Sequence, residues 1–424
     1  MTRTISRVEK LSGRVRAPSS KSLTNRALIL ALAVDGPVTI ETPLDCDDSR
    51  YMVEAIRKIG FDVSGSLRDE ITIGDRISMY SNDLELFVGN AGTAMRFLCG
   101  TLPFLPGRYL LSGEARMHQR PIGHLVDALL GIGAQVDYVE REGFPPLSIR
   151  GRKMRGGFTV EVDGSMSSQF ISALMMGGVH LPGGLTVASR DPVSAPYVEL
   201  TAAIMEAFGF PVSRSTDSWR SSPANVSLDR YRVEGDFSAA SYWFAAAAAT
   251  RGVIEVEGIS SASLQGDRGF LDVLSQMGIE IEWIGERVVR VDGRNGFEGG
   301  DFDFRMMPDV APTLAAIAPL ARTEIAIGNV GNLRIKESDR LSVLGAELSK
   351  LGASVAVGDD FIRIEPGWSD DPVIIDPAGD HRIAMSFAIA GLARGNVSIG
   401  DAEVVTKSYP GFWRALDTLV APAD

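Results

Sequence analysis

The sequence repeats one pattern of residues at a nearly constant spacing along its whole length. In each copy, small or polar residues come directly before an apolar run that is long enough for a helix. Successive copies lie about 69 to 75 residues apart, so the 424 residues divide into six units of about 71 residues. The copies align on Thr24, Thr93, Ser168, Ala239, Ala311 and Arg382. A repeat that fills the chain predicts one supersecondary unit built six times.

A second helical pattern lies between these copies, and in each case it ends on a glycine, the residue most often found just after a helix. The glycines are Gly60, Gly133, Gly209, Gly278 and Gly352. Short β-rich runs such as Val38–Ile40 and Val253–Val256 follow the helical patterns. Strands that alternate with helices predict an α/β (or α+β) protein whose sheets are covered by helices. The predicted helices include Thr24–Val34, Asp48–Ile59, Ile122–Leu130, Tyr197–Phe208, Gly269–Met277, Leu341–Leu351 and Phe412–Leu419.

Composition and charge exclude several classes of protein. The formal net charge of −12 disfavours a nucleic-acid partner, since proteins that bind nucleic acids usually carry a basic surplus. No apolar run approaches the ~18 residues that read as a membrane span. The two cysteines, Cys46 and Cys99, have no metal-ligand spacing, and residues Met1–Arg16 lack an apolar signal core. These features favour a cytoplasmic location, and the length favours two domains.

Basic residues are concentrated at or near the starts of the predicted helices. A helix N-terminus carries a partial positive charge and unpaired N–H groups, so it disfavours cations and attracts anions. Any one of these residues is readily explained as a surface side chain, but the pattern recurs from unit to unit. The recurrence therefore predicts an anionic ligand held by several cations. The residues are Lys21, Arg26, Arg120, Lys336, Arg340, Arg382 and Lys407.

Two acids lie among these cations, and they are candidates for proton transfer. Asp309 and Glu337 suit general acid–base chemistry, although position alone equally allows them to be ion-pair partners. His381 is either a further proton carrier or a buried structural histidine. The sequence has neither a phosphate-binding loop of the GxxxxGK[ST] type nor a GxGxxG motif after a strand, and no zinc-ligand motif. No metal and no cofactor are therefore predicted.

Several motifs taken together resemble those of the 5-enolpyruvylshikimate-3-phosphate synthase family of enolpyruvyl transferases. The resemblance covers the chain nearly from end to end and rests on Ser20–Ser22, Asn25 with Arg26, Gly89–Arg96, Arg120–Ile122, Ser167–Gln169, Arg334–Leu341 and Asp380–Arg382. It implies two similar domains, each made of three βαβαββ repeats in an inside-out α/β barrel. The chain of such a protein begins in one domain, builds the other and returns. Residues 20–233 would form one domain, and residues 1–19 with 234–424 the other.

The resemblance also implies an activity. Such an enzyme, a 3-phosphoshikimate 1-carboxyvinyltransferase, moves the enolpyruvyl group of phosphoenolpyruvate to the 5-hydroxyl of shikimate 3-phosphate by addition and elimination, and releases phosphate. This is a step of the shikimate pathway to chorismate and aromatic amino acids. The implied catalytic residues are Asp309, Glu337 and Lys21.

The substrate-binding residues are carried over by motif, and they divide between the two substrates. For shikimate 3-phosphate they are Lys21, Ser22, Arg26, Ser167, Ser168, Gln169, Ser194, Tyr197, Asp309, Asn332 and Lys336. For phosphoenolpyruvate they are Lys21, Gly92, Arg120, Gln169, Arg340, Arg382 and Lys407. Glyphosate is the implied competitor of phosphoenolpyruvate, and a monomer that binds neither nucleic acid nor membrane is expected.

Two positions depart from the pattern of the family. Phe97 stands where proline is common, and Leu333 stands where tryptophan is common. Both lie behind site residues, so we expect them to change the positioning of the site and its response to inhibitors more than its activity. One alternative is the sister enzyme that transfers enolpyruvate to a UDP-amino sugar, but its reactive cysteine is absent from Gly113–Gln119. Another is a non-catalytic sugar-phosphate or RNA-end binding protein, which the acidic charge and the retained Asp309 and Glu337 disfavour.

Overall fold

The computed structural model describes residues 1–77 and 83–421. Contacts divide the chain into two compact units, each with its own hydrophobic core. One, called here the middle unit, is Ser19–Val233. The other, called the split unit, combines Met1–Pro18 with Glu234–Asp424.

The same secondary-structure elements recur in both units. Helices in the described residues are α1 (Lys21–Ala31), α2 (Asp47–Ile59), α3 (Gly92–Thr101), α4 (Gly123–Gly131), α5 (Ser168–Gly178), α6 (Pro196–Phe208), α7 (Phe237–Thr250), α8 (Phe270–Gln276), α9 (Ala311–Ile317), α10 (Arg340–Lys350), α11 (His381–Arg394) and α12 (Phe412–Val420). Strands are β1 (Arg3–Ile5), β2 (Ser12–Arg16), β3 (Val38–Glu41), β4 (Phe61–Gly65), β5 (Glu70–Arg76), β6 (Asp83–Phe87), β7 (Gly107–Ser112), β8 (Gln135–Tyr138), β9 (Leu147–Gly151), β10 (Phe158–Glu161), β11 (Leu185–Ala188), β12 (Val212–Ser215), β13 (Ser218–Ser221), β14 (Arg230–Arg232), β15 (Val253–Glu257), β16 (Glu280–Ile284), β17 (Val288–Asp292), β18 (Gly300–Asp303), β19 (Ile325–Gly328), β20 (Val355–Val357), β21 (Ile362–Ile364), β22 (Val373–Ile375) and β23 (Val397–Ile399).

Each repeat builds one small sheet. In the second repeat, β6 and β7 are parallel and are joined through α3, and the antiparallel pair β8–β9 follows α4. The resulting strand order, β6-β7-β9-β8, is matched by β10-β11-β13-β12 and by β18-β19-β21-β20. The predicted βαβαββ repeat and the α/β class are therefore confirmed.

Strands distant in sequence complete the first sheet of each unit. β14, at the end of the middle unit, pairs in parallel with β3 near its beginning. In the split unit, the N-terminal β2 pairs in parallel with β15. The sixth repeat has no hairpin in the described residues, and β1 pairs antiparallel with β23 instead.

The first helix of each repeat lies in the core, and its start carries the polar residues of interest. All residues of α3 and α7 are buried, as expected for helices that are apolar on every side. Hydrogen bonds connect the starts of neighbouring helices: Asn25 Nδ2 donates to Thr93 Oγ1 at 2.8 Å, and the hydroxyls of Ser241 and Thr313 are 3.1 Å apart. Within each unit, these connections bring polar residues from separate repeats together.

The predicted helix ends agree closely with the structure. All five glycines of the second helical pattern have positive φ, for example 84° at Gly133 and 92° at Gly278. The starts are less accurate, since α1 begins at Lys21 because the Ser20 side chain caps it, and α4 begins only at Gly123, beyond Pro121.

Candidate active site

In the middle unit, Lys21 is held by an acid that the sequence interpretation did not single out. Lys21 is the first residue of α1, and its Nζ lies 3.0 Å from Oδ2 of Asp48 near the start of α2. The side chains of Lys21 and Asp48 are 13% and 2% exposed. A buried carboxylate therefore compensates the lysine charge at this helix start and fixes the position of the amine.

Arg26, in the second turn of α1, is buried among protein acceptors. Its Nε donates to Thr201 Oγ1 at 2.7 Å, and its Nη1 donates to the backbone carbonyl of Ser22 at 3.1 Å. Its Nη2 reaches Ser172 Oγ at 3.4 Å and the carbonyl of Tyr197 at 3.3 Å. Burial lowers the pKa of Arg26 to about 10. These contacts connect α1, α5 and α6 and bring together Ser22 and Tyr197, two of the predicted binding residues.

Phe97, one of the two departures from the family pattern, contacts this arginine. The Phe97 ring is fully buried, and its centroid lies 5.0 Å from Cζ of Arg26, within the range of a cation–π interaction. The aromatic ring therefore supports the Arg26 guanidinium.

The Arg120 guanidinium lies beside Gly92 at the start of α3. Arg120 Nη1 donates to both the backbone carbonyl and the side-chain oxygen of Asn90, each at 3.0 Å. A Cβ added to Gly92, the first residue of α3, would lie only 2.6 Å from Arg120 Nη2. The missing side chain at position 92 is therefore what lets the guanidinium approach the start of α3.

The remaining predicted residues of the middle unit lie around the starts of α5 and α6. The Ser167 hydroxyl caps α5 by accepting from the Gln169 backbone N–H at 3.2 Å, and Ser168 is the first residue of this helix. Ser194 is buried with a positive φ of 54°, two residues before α6 begins. Tyr197 is the second residue of α6.

In the split unit, Arg340 is surrounded by carboxylates. Its side chain is 1% exposed, and it donates to Asp380 at 2.7 Å, to Glu337 at 2.8 Å and to Asp309 at 3.0 Å. Burial opposes the charge of Arg340, but the three carboxylates outweigh burial and raise its pKa above the ordinary value. Arg340 thus fixes the positions of both acids that were predicted to transfer protons.

Asp309 is in turn held by three cations. Its Oδ1 lies 3.0 Å from Arg340 Nη1 and 3.3 Å from Lys336 Nζ, and its Oδ2 lies 3.1 Å from Arg382 Nη2. Burial raises the pKa of Asp309, but the charges of Arg382, Lys336 and Arg340 prevail and hold the pKa well below the usual value. Asp309 is therefore an ionised carboxylate, 26% exposed, at the centre of the cluster.

Three other predicted residues of the split unit lie on short helical turns or helix starts. Asn332 is in the turn Gly331–Ile335, directly before Lys336, and Lys407 ends the turn Ala402–Lys407. His381 is fully buried at the start of α11, with Nδ1 3.6 Å from Asp380 Oδ1.

The structure adds two residues to the split-unit cluster, Ser238 and Asp267. Arg382 Nη2 donates to the Ser238 hydroxyl at 3.3 Å, and this hydroxyl donates to Asp267. Neither Ser238 nor Asp267 lies in the motifs on which the family resemblance rests. The only signal in the sequence was the position of Ser238 at an aligned helix start, and nothing marked Asp267.

Two properties of the described residues bear on cofactors and location. Within residues 1–77 and 83–421, no group of three or more His, Cys, Asp and Glu side chains is arranged to hold a metal ion. Nor does any helix of these residues have the length and apolar character needed to cross a membrane.

The six sheet-building repeats place cations and carboxylates near helix starts, an arrangement that suits the binding of anionic ligands. The family model of EPSP synthase (3-phosphoshikimate 1-carboxyvinyltransferase) matches residues 5–416, and the chain belongs to that family. It is accordingly an enzyme of enolpyruvyl transfer from phosphoenolpyruvate to shikimate 3-phosphate, in the shikimate pathway.

Similar proteins extend over almost the whole chain. A 3-phosphoshikimate 1-carboxyvinyltransferase of Pseudoalteromonas translucida is 41% identical over 415 residues, covering 96% of this chain and 97% of its own. The enzyme of the same name from Vibrio cholerae is 42% identical over 419 residues, with 97% of each chain covered. A solved structure of EPSP synthase from Acinetobacter baumannii has the same fold, with a TM-score of 0.80 at 24% identity over 99% of this chain and 98% of that one.

Proposed function

We propose that the residues described above perform the enolpyruvyl transfer in this chain, with Asp309 and Glu337 of the split-unit cluster, together with Lys21, carrying the proton transfers. The observation that carries this proposal is the position of Asp309, an ionised carboxylate that contacts Lys336, Arg340 and Arg382. A carboxylate among cations both accepts a proton and shares its partners with incoming anions. We further propose that residues 20–233 and residues 1–19 with 234–424 are the two domains of the enzyme.

Asp309 is the proposed acceptor of the proton from the 5-hydroxyl of shikimate 3-phosphate. A base with a strongly lowered pKa is weak, because its charged form is already well stabilised. When substrate phosphate and carboxylate groups share Lys336 and Arg382, they reduce this stabilisation and raise the pKa of Asp309. Binding of the anionic substrates therefore makes Asp309 a stronger base at the time when it is needed.

Glu337 is the proposed donor of the proton to C3 of phosphoenolpyruvate, with Lys21 sharing in proton transfer. The hydroxyl oxygen forms a bond to C2 as C3 takes up a proton. In the elimination, C3 returns a proton, the bond from C2 to the phosphate oxygen breaks, and phosphate leaves. Arg340 donates to Glu337 Oε2 at 2.8 Å, which fixes the carboxyl group in one orientation.

The other predicted residues are proposed to bind the substrates. Arginine suits this task because its planar fork matches carboxylate and phosphate oxygens. For Arg26, whose nitrogens contact protein acceptors, the proposal is that it orients Ser22 and Tyr197 as well as adding positive charge. The proposed set for shikimate 3-phosphate is Lys21, Ser22, Arg26, Ser167, Ser168, Gln169, Ser194, Tyr197, Asp309, Asn332 and Lys336. The proposed set for phosphoenolpyruvate is Lys21, Gly92, Arg120, Gln169, Arg340, Arg382 and Lys407.

One assay tests the proposed function directly. The purified protein is expected to release phosphate from phosphoenolpyruvate when shikimate 3-phosphate is present. The same assay with UDP-N-acetylglucosamine should give only background, and each substrate alone serves as the control. Phosphate release with the UDP-sugar, or from phosphoenolpyruvate without any acceptor, would contradict the proposal.

Glyphosate is proposed to compete with phosphoenolpyruvate, and Gly92→Ala should weaken this inhibition. The added methyl would lie 2.6 Å from Arg120 Nη2 and 3.1 Å from its Cζ, so the guanidinium must shift away from the start of α3. Overpacking of this kind costs roughly 1–3 kcal/mol, or about ten- to a hundredfold in affinity. Because glyphosate is longer than phosphoenolpyruvate, we expect it to lose more affinity from the shift.

The measurement is the inhibition constant of glyphosate with phosphoenolpyruvate varied, in the wild type and in Gly92→Ala. Gly131→Ala is the matched control, since a Cβ at this exposed position of α4 meets no atom within 4 Å. We expect the inhibition constant of glyphosate and the KM for phosphoenolpyruvate to be unchanged in the control. If Gly92→Ala lowered the affinity for phosphoenolpyruvate and for glyphosate by the same factor, position 92 would not discriminate between substrate and inhibitor.

A cytoplasmic, monomeric enzyme is proposed as well. Cys46 and Cys99 are both buried free thiols, which suits a reducing compartment. Burial raises the pKa of Cys46 to about 11 and that of Cys99 to about 12, so neither forms a reactive thiolate at neutral pH.

A further inference from the structure

Asp267 is a buried carboxylic acid beside the proposed site that the proposed mechanism leaves without a task. It lies in the helical turn Gly266–Gly269, directly before α8, and is 0% exposed. A buried carboxylate is costly unless it is well compensated, so its presence next to a cluster of charges requires a reason.

The hydrogen bonds around Asp267 lead to Arg382. The Ser238 hydroxyl, in the first turn of α7, donates its proton to Asp267 Oδ2. The oxygen of the same hydroxyl accepts from Arg382 Nη2 at 3.3 Å. The guanidinium of Arg382 is a hydrogen-bond donor only, so the Ser238 hydroxyl must accept from it and is left to donate to Asp267. The two hydrogen bonds therefore run in one direction, from the arginine through the hydroxyl to the carboxylate.

Arg382 is therefore held from two sides. Its Nη2 donates to Asp309 Oδ2 at 3.1 Å as well as to Ser238. An anionic substrate that displaces Asp309 from this nitrogen leaves the contact with Ser238, and through it with Asp267, in place. Both Ser238 and Asp267 are buried, so this second support is rigid.

We propose that Asp267 is a positioning residue that acts through the Ser238 hydroxyl to hold the Arg382 guanidinium in the orientation needed to bind phosphoenolpyruvate productively. This inference rests on the proposed function, in which Arg382 binds that substrate. Asp267 itself does not touch the substrate. Loss of its charge should therefore lower kcat more than it changes the KM for phosphoenolpyruvate, because misorientation harms the transition state first.

The surroundings of Asp267 give this role a measurable pH dependence. Burial, and next the charge of Asp309, raise the pKa of Asp267 to about 6, with Asp236 acting in the same direction. Arg382 and the hydrogen bond from Ser238 oppose this rise. Asp267 is thus ionised at pH 8 and gains a proton as the pH falls through about 6, and in the protonated form it resembles an asparagine.

The first test compares kcat of the wild type and of Asp267→Asn, with both substrates, between pH 5.5 and pH 8. At pH 8 the variant is expected to be about 10- to 100-fold slower, with its KM for phosphoenolpyruvate within a few-fold of the wild-type value. The ratio of the two kcat values should fall towards one as the pH decreases through 6, since the wild type then loses the same charge. A ratio that is constant across this range, or near one at pH 8, would overturn the proposal.

Ser238→Ala supplies a second variant. It keeps the carboxyl group but breaks the connection to Arg382, so it should show a similar loss of kcat at pH 8. Wild-type kcat from Ser238→Ala would rule out the connection through the hydroxyl. Wild-type protein that fails to turn over the two substrates would instead count against the proposed function, which keeps the two failures apart.

Stability measurements separate positioning from a general structural role. Because the pKa of Asp267 is raised in the folded protein, its ionised form lowers the free energy of unfolding at pH 8, and this penalty disappears as the pH falls towards the unfolded value near 4. Asp267→Asn should therefore unfold at a temperature no lower than the wild type at pH 8. Asp292→Asn, which changes a carboxylate at the end of β17 that pairs with Arg294, is the matched control and should keep wild-type kcat.

Discussion

Replacing Glu337 by glutamine is expected to lower the turnover number by about 10²–10⁴-fold, the typical contribution of one general acid. Glutamine has nearly the same size and still offers an oxygen to Arg340, whose Nη2 donates to Glu337 Oε2 at 2.8 Å. It has no carboxylic acid proton to give to C3 of phosphoenolpyruvate. The change therefore removes the chemistry while it preserves the packing around Arg340, and binding of shikimate 3-phosphate should stay within a few-fold.

Two measurements check this expectation. One is the steady-state release of phosphate. The other is the uptake of deuterium from D₂O into C3 of the remaining phosphoenolpyruvate, which reports reversible protonation of that carbon and should be lost together with turnover.

Glu347→Gln is the matched control for Glu337→Gln. Glu347 lies on α10, is buried and accepts from Lys350 at 2.7 Å, but it belongs to no part of the cluster around Arg340. We expect it to keep wild-type turnover. Near-normal turnover and exchange by Glu337→Gln would remove Glu337 from the proton transfer.

The repeated architecture could be predicted because the features that define it are local. A helix cap such as Ser20 and a glycine such as Gly133, with its φ of 84°, are required by neighbouring residues alone, so they recur visibly in the sequence. The strand that holds the first position in the βαβαββ order of each repeat was missed in the sequence. Two of these strands, β14 and β22, have only three residues each, too few to show an alternating pattern. Two of them, β14 and β2, pair with strands that are far away in the sequence.

The candidate site also contains residues that the sequence marks locally and residues that only the fold reveals. Lys336, Glu337 and Arg340 lie within one short motif, and the structure brings them into contact around Asp309. Asp48 and Asp267 had no such signal, because each gains its meaning only from a partner on another helical element of the same repeat: Lys21 for Asp48, and Ser238 for Asp267. Four of the cations from which we predicted an anionic ligand, Lys21, Lys336, Arg340 and Arg382, are also compensated by carboxylates of the chain itself. Sequence reasoning found the charges but could not find these partners.

Replacing Asp309 by asparagine is expected to lower turnover by a similar factor of about 10²–10⁴, but with a different effect on binding. Asp309 is ionised, because Arg382, Lys336 and Arg340 outweigh its burial and hold its pKa well below the usual value. Asparagine cannot accept the proton of the attacking hydroxyl. Its amide group also turns N–H donors towards one of the cations, so the positive charge of the cluster is no longer balanced.

This imbalance should make anions bind at least as tightly as before. The dissociation constants of phosphoenolpyruvate and shikimate 3-phosphate, measured by calorimetry, are expected to be unchanged or lower in Asp309→Asn, while turnover falls. Asp339→Asn is the control, since Asp339 caps α10 and pairs with Arg334, and asparagine is an equally good cap. Weaker binding of both substrates by Asp309→Asn, with turnover reduced only in proportion, would show that Asp309 organises the cations and does not act as the base.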